Sequence, residues 1–325
     1  MRIAVTGGTG FVGSLVVEQL LERGWDVNCL TLPDEGSLWL EGSAVRFFEG
    51  NVTDHSTLGP FLEGCDAIIN IAGLTRSRTE AGFMAVNVGG AVNLVEAALA
   101  LPSGPRHIIS MSSMAAAGPC PEGHCLDEDD EPRPLTPYGR SKAALETSLR
   151  AYEGLMHCTF IRAPPVYGPR DRDFLLYFKL VQRGLRVIVG SRNVMSLLYV
   201  KNLASAIAAC LLNPSAYGQS FFIADDGESD WDEFSSLVEA SLGRRTFRVQ
   251  VPEWIVAVVA FLAEISKPFV KRPPLLDRHK LLEIRQHRWV VSTAKAERLL
   301  GFKPAISTAE ALAETGRWYK EKGWI

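Results

Sequence analysis

No charge of one sign dominates this chain. Its 34 Lys and Arg nearly offset 37 Asp and Glu, leaving a formal net charge of −3. That balance gives no overall electrostatic footprint for nucleic acid or for an anionic membrane. Cysteines are few and scattered: the six lie at positions 29, 65, 120, 125, 158 and 210, several within apolar runs such as Val27 to Leu30. Such spacing offers no disulfide framework and reads as reduced core residues of an intracellular protein. Cys120, His124 and Cys125 stand close together in "PCPEGHC", but no second cluster completes a four-ligand set, so no metal is expected. Long hydrophobic runs are missing too. The most apolar stretch, Trp254 to Ala263, is closed off by Glu253 and Glu264, far short of the roughly 20 residues a spanning helix needs. Met1 and Arg2 lead directly into a short apolar run that ends in glycines, which is not the plan of a signal peptide. The expectation is a cytoplasmic globular protein with no transmembrane segment and no nucleic-acid partner. Its partner would be a small molecule, and a homodimer is compatible with all of this.

What is present is a core. Hydrophobic residues make up 47% and charged residues 22%, ordinary proportions for one large or two fused folded units. The first half alternates "RIAVT", "DVNCL", "VRFF", "AIINIA", "HIISMS" and "CTFIRA" with helix-period segments at Phe11 to Arg23, Phe83 to Leu101 and Pro137 to Glu153. Strands apolar on both faces and joined by helices predict an α/β fold, a doubly wound parallel sheet. After about residue 165 the alternation loosens, with helices expected near Phe174 to Arg183, Trp231 to Leu242, Pro252 to Ile265 and Asp277 to Gln286. The chain thus divides into a first unit over 1–165, to which 196–212 is expected to return, and a smaller, mainly helical lobe over 166–325. "GPCPEGHCLDEDDEPRPLTP", from Gly118 to Pro137, is a long loop, and loops of that length in compact domains are usually functional or disordered.

"RIAVTGGTGFVG" sets Gly7, Gly10 and Gly13 between the first strand and the first helix. Glycines there let backbone N–H groups and the helix N-terminus approach a pyrophosphate without Cβ obstruction. The same order of motifs continues in "NIAG" (70–73), "NVGGAVNLVEAA" (87–98), "SMSSMAAAG" (110–118), "YGRSK" (138–142), "IRAPPVYGPRD" (161–171) and "WVVSTAKAERLLGFKP" (289–304). On these residues the chain resembles, nearly end to end, the extended short-chain dehydrogenase/reductase superfamily of NAD-dependent epimerases and dehydratases. The resemblance implies a Rossmann domain in the first unit, a substrate lobe in the second, and NAD or NADP as cofactor. It implies cofactor contacts from Gly7, Thr9, Gly10, Phe11 and Val12 at the turn, and from Thr31, Asn51 and Val52 on the adenosine side. Ala72, Gly73, Asn87, Tyr138, Lys142, Ala163 and Val166 would follow around the nicotinamide ribose and ring. Thr31 stands where NAD-preferring relatives offer an acid and Leu32 where NADP-preferring ones offer an arginine, so the balance leans only slightly toward NADP.

Tyr138 and Lys142 stand one helical turn apart. In the resembled family Tyr138 would be the general acid/base, Lys142 the charge that lowers its pKa and holds ribose, and Ser113 the hydrogen-bond partner of the substrate oxygen. A tyrosine near pKa 10 needs such help at neutral pH. Asn87 matches a residue of the proton path in some relatives, or equally a structural cap; Ser112 reads as a plain turn serine, and Arg140 and Ser141 as incidental. Dehydratases follow the catalytic hydroxyl with an Asp-Glu pair, where this chain has Met114 and Ala115. Epimerases of nucleotide sugars hold the diphosphate with an Asn and an Arg, where this chain has Pro165 and Met195; Arg162, Arg170, Arg172 and Arg192 are the candidates to substitute. The apolar run in "PEWIVAVVAFLAEISKPFVKRPPLL" is similar to the late segment of 3β-hydroxysteroid dehydrogenase-like and dihydroflavonol reductase-like members. It is expected to be either a buried helix or a wall for a hydrophobic substrate. The function expected is an oxidoreductase of a largely hydrophobic secondary alcohol or ketone. Two alternatives stand beside it: a nucleotide-sugar 4-epimerase, and a non-catalytic dinucleotide sensor or assembly protein. The loop from Gly118 to Pro137 is expected to close over the substrate with its "DEDDE" run facing water.

Overall fold

The structure, a computed structural model, describes residues 1–33, 36–190, 193–225, 227–266 and 278–325. Arg192, Asp277 and the basic, proline-rich stretch within 267–277 lie outside the described residues. The expected strands form as β1 (Arg2–Thr6), β2 (Asp26–Thr31), β3 (Val45–Glu49), β4 (Ala67–Asn70), β5 (His107–Met111) and β6 (His157–Arg162). They pair in parallel in the order β3-β2-β1-β4-β5-β6, and a seventh strand, Ser220–Phe222, adds to β6. Every residue of β4 and β5 is buried, which demands helices on both faces.

Those helices are α1 (Phe11–Glu22), α2 (Leu58–Leu62), α3 (Glu80–Phe83), α4 (Gly90–Ala100), α5 (Met114–Ala117) and α6 (Pro137–Arg150). On one face, Val16, Val17 and Leu20 of α1 share a core with Leu203 and Ile207 of the helix Val200–Cys210. On the other, Leu58 and Phe61 of α2, Leu94 and Val95 of α4, and Leu145 and Leu149 of α6 form a second core. One π turn, Met84–Gly89, joins α3 to α4. The 21-residue run Glu80–Ala100 is long and apolar enough to cross a membrane; here it is the crossover from β4 to β5, with Leu94, Val95 and Ala98 fully buried.

A further core gathers the aromatic side chains of Tyr167, Phe178, Tyr199, Phe234 and Tyr319 with Leu15 of α1. Buried polar groups tie it to the sheet. Asp225, just past the seventh strand, accepts from Tyr199 N (2.8 Å) and Asn202 Nδ2 (2.7 Å). Asn202 Oδ1 in turn accepts from Ala305 N and Ile306 N, both at 3.2 Å.

Two expectations change. The loop from Gly118 to Pro137 is stitched along the edge of the sheet. Arg133 N bonds Ala117 O (2.7 Å) to close its ends, while Leu126 N bonds Val290 O (3.0 Å) and Leu126 O accepts from Ser292 N (2.8 Å). Glu128, within the acidic run, turns inward and accepts from Phe222 N at 2.7 Å, satisfying an outward N–H of the edge strand. The helix Glu253–Ser266 is not a buried helix: Trp254, Phe261 and Leu262 stand out to solvent, and Val256 and Ala260 are its buried apolar residues.

Candidate active site

Strand order reverses at β1 and β4, so the turns that follow them open onto one crevice. Gly7 adopts φ +69°, and a Cβ there would lie 2.8 Å from Ala72 N; only glycine brings the two turns this close. A methyl group on Gly13 would overlap the Gly7 carbonyl, so α1 starts tight against the turn. Gly10 caps α1 without a side chain, with Thr9 buried behind it and Phe11 and Val12 in the first helical turn. A bare helix N-terminus in a glycine cradle fits a pyrophosphate.

Toward the adenosine side, Thr31 ends β2 with its hydroxyl 3.4 Å from Phe48 O, and Leu32 is exposed. Asn51 Oδ1 accepts from Thr53 N at 3.0 Å, shaping the turn that carries the buried Val52. In the centre, Thr6 Oγ1 accepts from Ala72 N (3.2 Å) and donates to Asn70 Oδ1 (2.8 Å), fixing the turn after β4. A methyl on Gly73 would sit 3.0 Å from Asn87 Oδ1 and 3.3 Å from Lys142 Nζ, so these three residues converge.

Asn87 comes from the π turn, a feature common at functional sites. It is buried, with Oδ1 accepting from Leu74 N (2.7 Å) and Nδ2 donating to Leu74 O (3.1 Å) and Ser141 Oγ (2.9 Å). Ser141 Oγ donates onward to Tyr138 O at 2.8 Å. Ser141 is therefore not incidental: it links the π turn to the helix that carries Tyr138. Arg140 is not idle either, since it forms a two-pronged pair with Glu80 of α3 at 2.9 and 3.0 Å.

Thr136 caps α6 by accepting from Gly139 N (3.2 Å), and Pro137 sits in the first turn where its missing N–H costs nothing. This presents Tyr138 to Ser113, the cap of α5, whose hydroxyl faces the phenol. The ladder between β5 and β6 runs on past both strands through Ser112 N to Ile161 O and Met114 N to Ala163 O, each 2.9 Å. Ala163 thereby lies alongside Ser113, while Val166 pairs with Leu198 in a short parallel strand pair. Lys142, almost wholly buried, donates from Nζ to Met111 O at 2.6 Å.

Burial moves the two titratable side chains of the site in opposite directions. It pushes the Tyr138 phenol up to about 12, with the Ser113 hydroxyl opposing and the nearby Glu283 carboxylate adding to the rise. Burial also brings the Lys142 ammonium down to about 8, against the pull of Glu146.

Glu146 and Glu283 are the residues that spacing did not reveal. Glu146 lies one turn beyond Lys142, buried, and pairs with Arg162 through Nε–Oε1 (3.0 Å) and Nη2–Oε2 (2.8 Å). It also accepts from Ser112 Oγ (2.6 Å) and Ser220 Oγ (3.2 Å), so Ser112 anchors the catalytic loop rather than merely turning it. The available signal was a glutamate on the inward face of a helix, with an arginine in an otherwise apolar strand. Glu283 reaches across from the helix Arg278–Ile284 to accept from Thr136 Oγ1 at 3.3 Å.

Residues 3–224 match the model of the NAD dependent epimerase/dehydratase family. The chain belongs to this family. A ceramide reductase of Caulobacter vibrioides is 25% identical over 325 residues, covering 99% of this chain and 96% of that protein. Mus musculus 3 beta-hydroxysteroid dehydrogenase type 7 is 29% identical over 357 residues, covering 97% and 94%. The fold is shared with the UDP-glucose 4-epimerase of Thermotoga maritima solved with UDP-glucose, at TM-score 0.81 and 22% identity over 99% of both chains. This member of the epimerase/dehydratase family is an enzyme of the extended short-chain dehydrogenase/reductase type. Where dehydratases carry titratable side chains it has Met114 and Ala115, both buried. Of the arginines that were candidates to hold a diphosphate, Arg162 pairs with Glu146, Arg170 pairs with Glu18 at 2.5 Å, and Arg172 stacks over Trp324 at 5.5 Å, while Arg162 Nη1 and Arg170 Nε and Nη1 are buried without a hydrogen-bond partner. Pro165 is exposed, and Met195 sits in a strand between Ser229 and Trp289.

Proposed function

We propose that this enzyme moves hydride between NAD or NADP and a secondary alcohol or ketone on a largely hydrophobic molecule. The meeting of Ser113, Tyr138 and Lys142 beneath the turns after β1 and β4 carries the reaction. Backbone amides at Phe11 and Val12, in the cradle shaped by Gly7 and Gly10 with Thr9 behind it, would hold the pyrophosphate. Thr31, Asn51 and Val52 would border the adenosine, and Ala72, Gly73, Asn87 and Lys142 the nicotinamide ribose, with Ala163 and Val166 beyond. When bound, the dinucleotide supplies or accepts the hydride. Ser113 orients the substrate oxygen, and Tyr138 exchanges a proton with it. A phenol held near 12 is protonated at neutral pH, so it serves most readily as an acid toward a ketone oxygen. Lys142, charged below about pH 8, stabilises the phenolate that remains.

The hydrophobic substrate class is supported by Pro165 and Met195, which offer no donor or cation to a diphosphate, and by the two relatives named for ceramide and for a steroid, both apolar molecules. Neither Thr31 nor Leu32 claims the ribose 2′ position, so discrimination between NAD and NADP is modest, with a slight lean to NADP. The epimerase alternative would use the same three residues and differ in the group held beyond them. Tyr138→Phe should lower the chemical rate by roughly 10²–10⁴ while cofactor affinity scarcely changes, measured on a panel of ceramide-like, steroid, terpenoid and flavonoid ketones. Turnover of a uridine- or thymidine-diphosphate sugar at C4, with none of the ketones reduced, would promote the epimerase instead.

A further inference from the structure

The helix Glu253–Ser266 turns much of its apolar surface outward. Trp254, Ile255, Val258, Phe261, Leu262 and Ile265 are between 36 and 67% exposed. They recur at three- and four-residue steps, so they form a continuous stripe. A soluble surface seldom carries so many contiguous large apolar side chains without something to cover them.

Charge narrows the occupant. The strand before the helix starts at Phe247, 74% exposed, with Arg244 and Arg245 exposed just before it and Arg248 exposed but paired with Asp232 at 3.5 Å. In the sequence, Glu253 and Glu264 are the only acids between Arg244 and Ser266. The net charge of −3 does not forbid an anionic partner, because attraction to a surface is local within a Debye length.

We infer that this strand–helix unit docks on the anionic surface of a lipid bilayer, with the outward stripe lying in the headgroup–acyl boundary. Fourteen residues extend about 21 Å, too little to cross a hydrocarbon core of about 30 Å but suited to lying in its plane. A second copy fits less well, because a two-fold contact would bring the same basic flanks together. The inference does not depend on the proposed reaction.

The test is flotation of the full chain with vesicles of phosphatidylcholine alone or with about 30 mol% phosphatidylglycerol. The chain should float with the anionic vesicles and be released by high salt. Val258→Asp with Leu262→Asp should lower partitioning about tenfold or more, with melting temperature and cofactor affinity unchanged. Arg244→Glu with Arg245→Glu should abolish the preference for anionic lipid. The inference is overturned if the wild type binds neither vesicle, or if the aspartate variant partitions undiminished. A wild-type dimer that ignores vesicles and becomes monomeric in the aspartate variant would also overturn it.

Discussion

At Tyr138 and Lys142, burial acts on two groups of opposite charge type and moves them apart, the phenol to about 12 and the ammonium to about 8. The consequence for stability has a definite sign. The unfolded chain keeps its lysine proton up to about pH 10.5, whereas the folded chain releases it near pH 8. Between those values the unfolded state binds more protons, so the Lys142 contribution to stability rises with pH. Lys142→Met removes the buried charge, so its advantage over the wild type should be largest near pH 7 and shrink by about 3 kcal/mol toward pH 10. Urea unfolding at both pH values measures it, and a pH-independent difference would mean that the ammonium is not desolvated. Sequence made Ser113, Tyr138 and Lys142 legible because a helix fixes which residues share a face. It could not show that Met111 O occupies the ammonium or that Glu283 faces the phenol, since both partners arrive from other segments.

At the scale of the element, α6 is held from below by the Glu146–Arg162 pair. Buried pairs are poor evidence of net stabilisation, yet breaking one leaves an uncompensated charge. Glu146→Gln should therefore cost about 3–5 kcal/mol in denaturant unfolding, and also release Ser112 and Ser220 from their shared acceptor. Adding Arg162→Met to that variant should recover most of the loss; a double variant as unstable as the single one would assign the cost to packing instead. The helix from Phe83 to Leu101 was readable in its apolar period, but the π turn within it was not. One extra residue in a turn scarcely changes a hydrophobic pattern. Asn87 accordingly read as either a catalytic residue or a cap, whereas its three bonds make it the clamp between the turn after β4 and α6.

Across the whole molecule, the parallel sheet was legible because strands apolar on both faces have few other homes. The seventh strand was not, since Ser220–Phe222 is too short to show a period. The exposed helix misled for a related reason: an apolar sequence says what a segment will bury against, not which partner supplies the cover. His107 shows how distant parts are coupled. It is buried in β5, its Nε2 lies 3.0 Å from Thr159 Oγ1 on β6, and its Nδ1 accepts from Leu212 N at 3.2 Å, just past the helix Val200–Cys210. Accepting a backbone N–H requires Nδ1 to be unprotonated, and burial lowers the ring from 6.5 to about 4. As pH falls through that interval the unfolded state takes up a proton that the folded state refuses, so stability drops, by about 3 kcal/mol in full. Domains of ordinary stability have only about 5–15 kcal/mol to lose. Asp171 works the other way, because burial raises its carboxyl to about 6 and protonation there favours the folded state. Comparing wild type with His107→Gln cancels that opposing effect. The variant should be less stable at pH 7 yet lose about 3 kcal/mol less than the wild type between pH 7 and pH 4, read from urea midpoints. Parallel losses in the two proteins would show that His107 is protonated in the folded state and that the link between β5 and the Leu212 backbone is not what acid breaks.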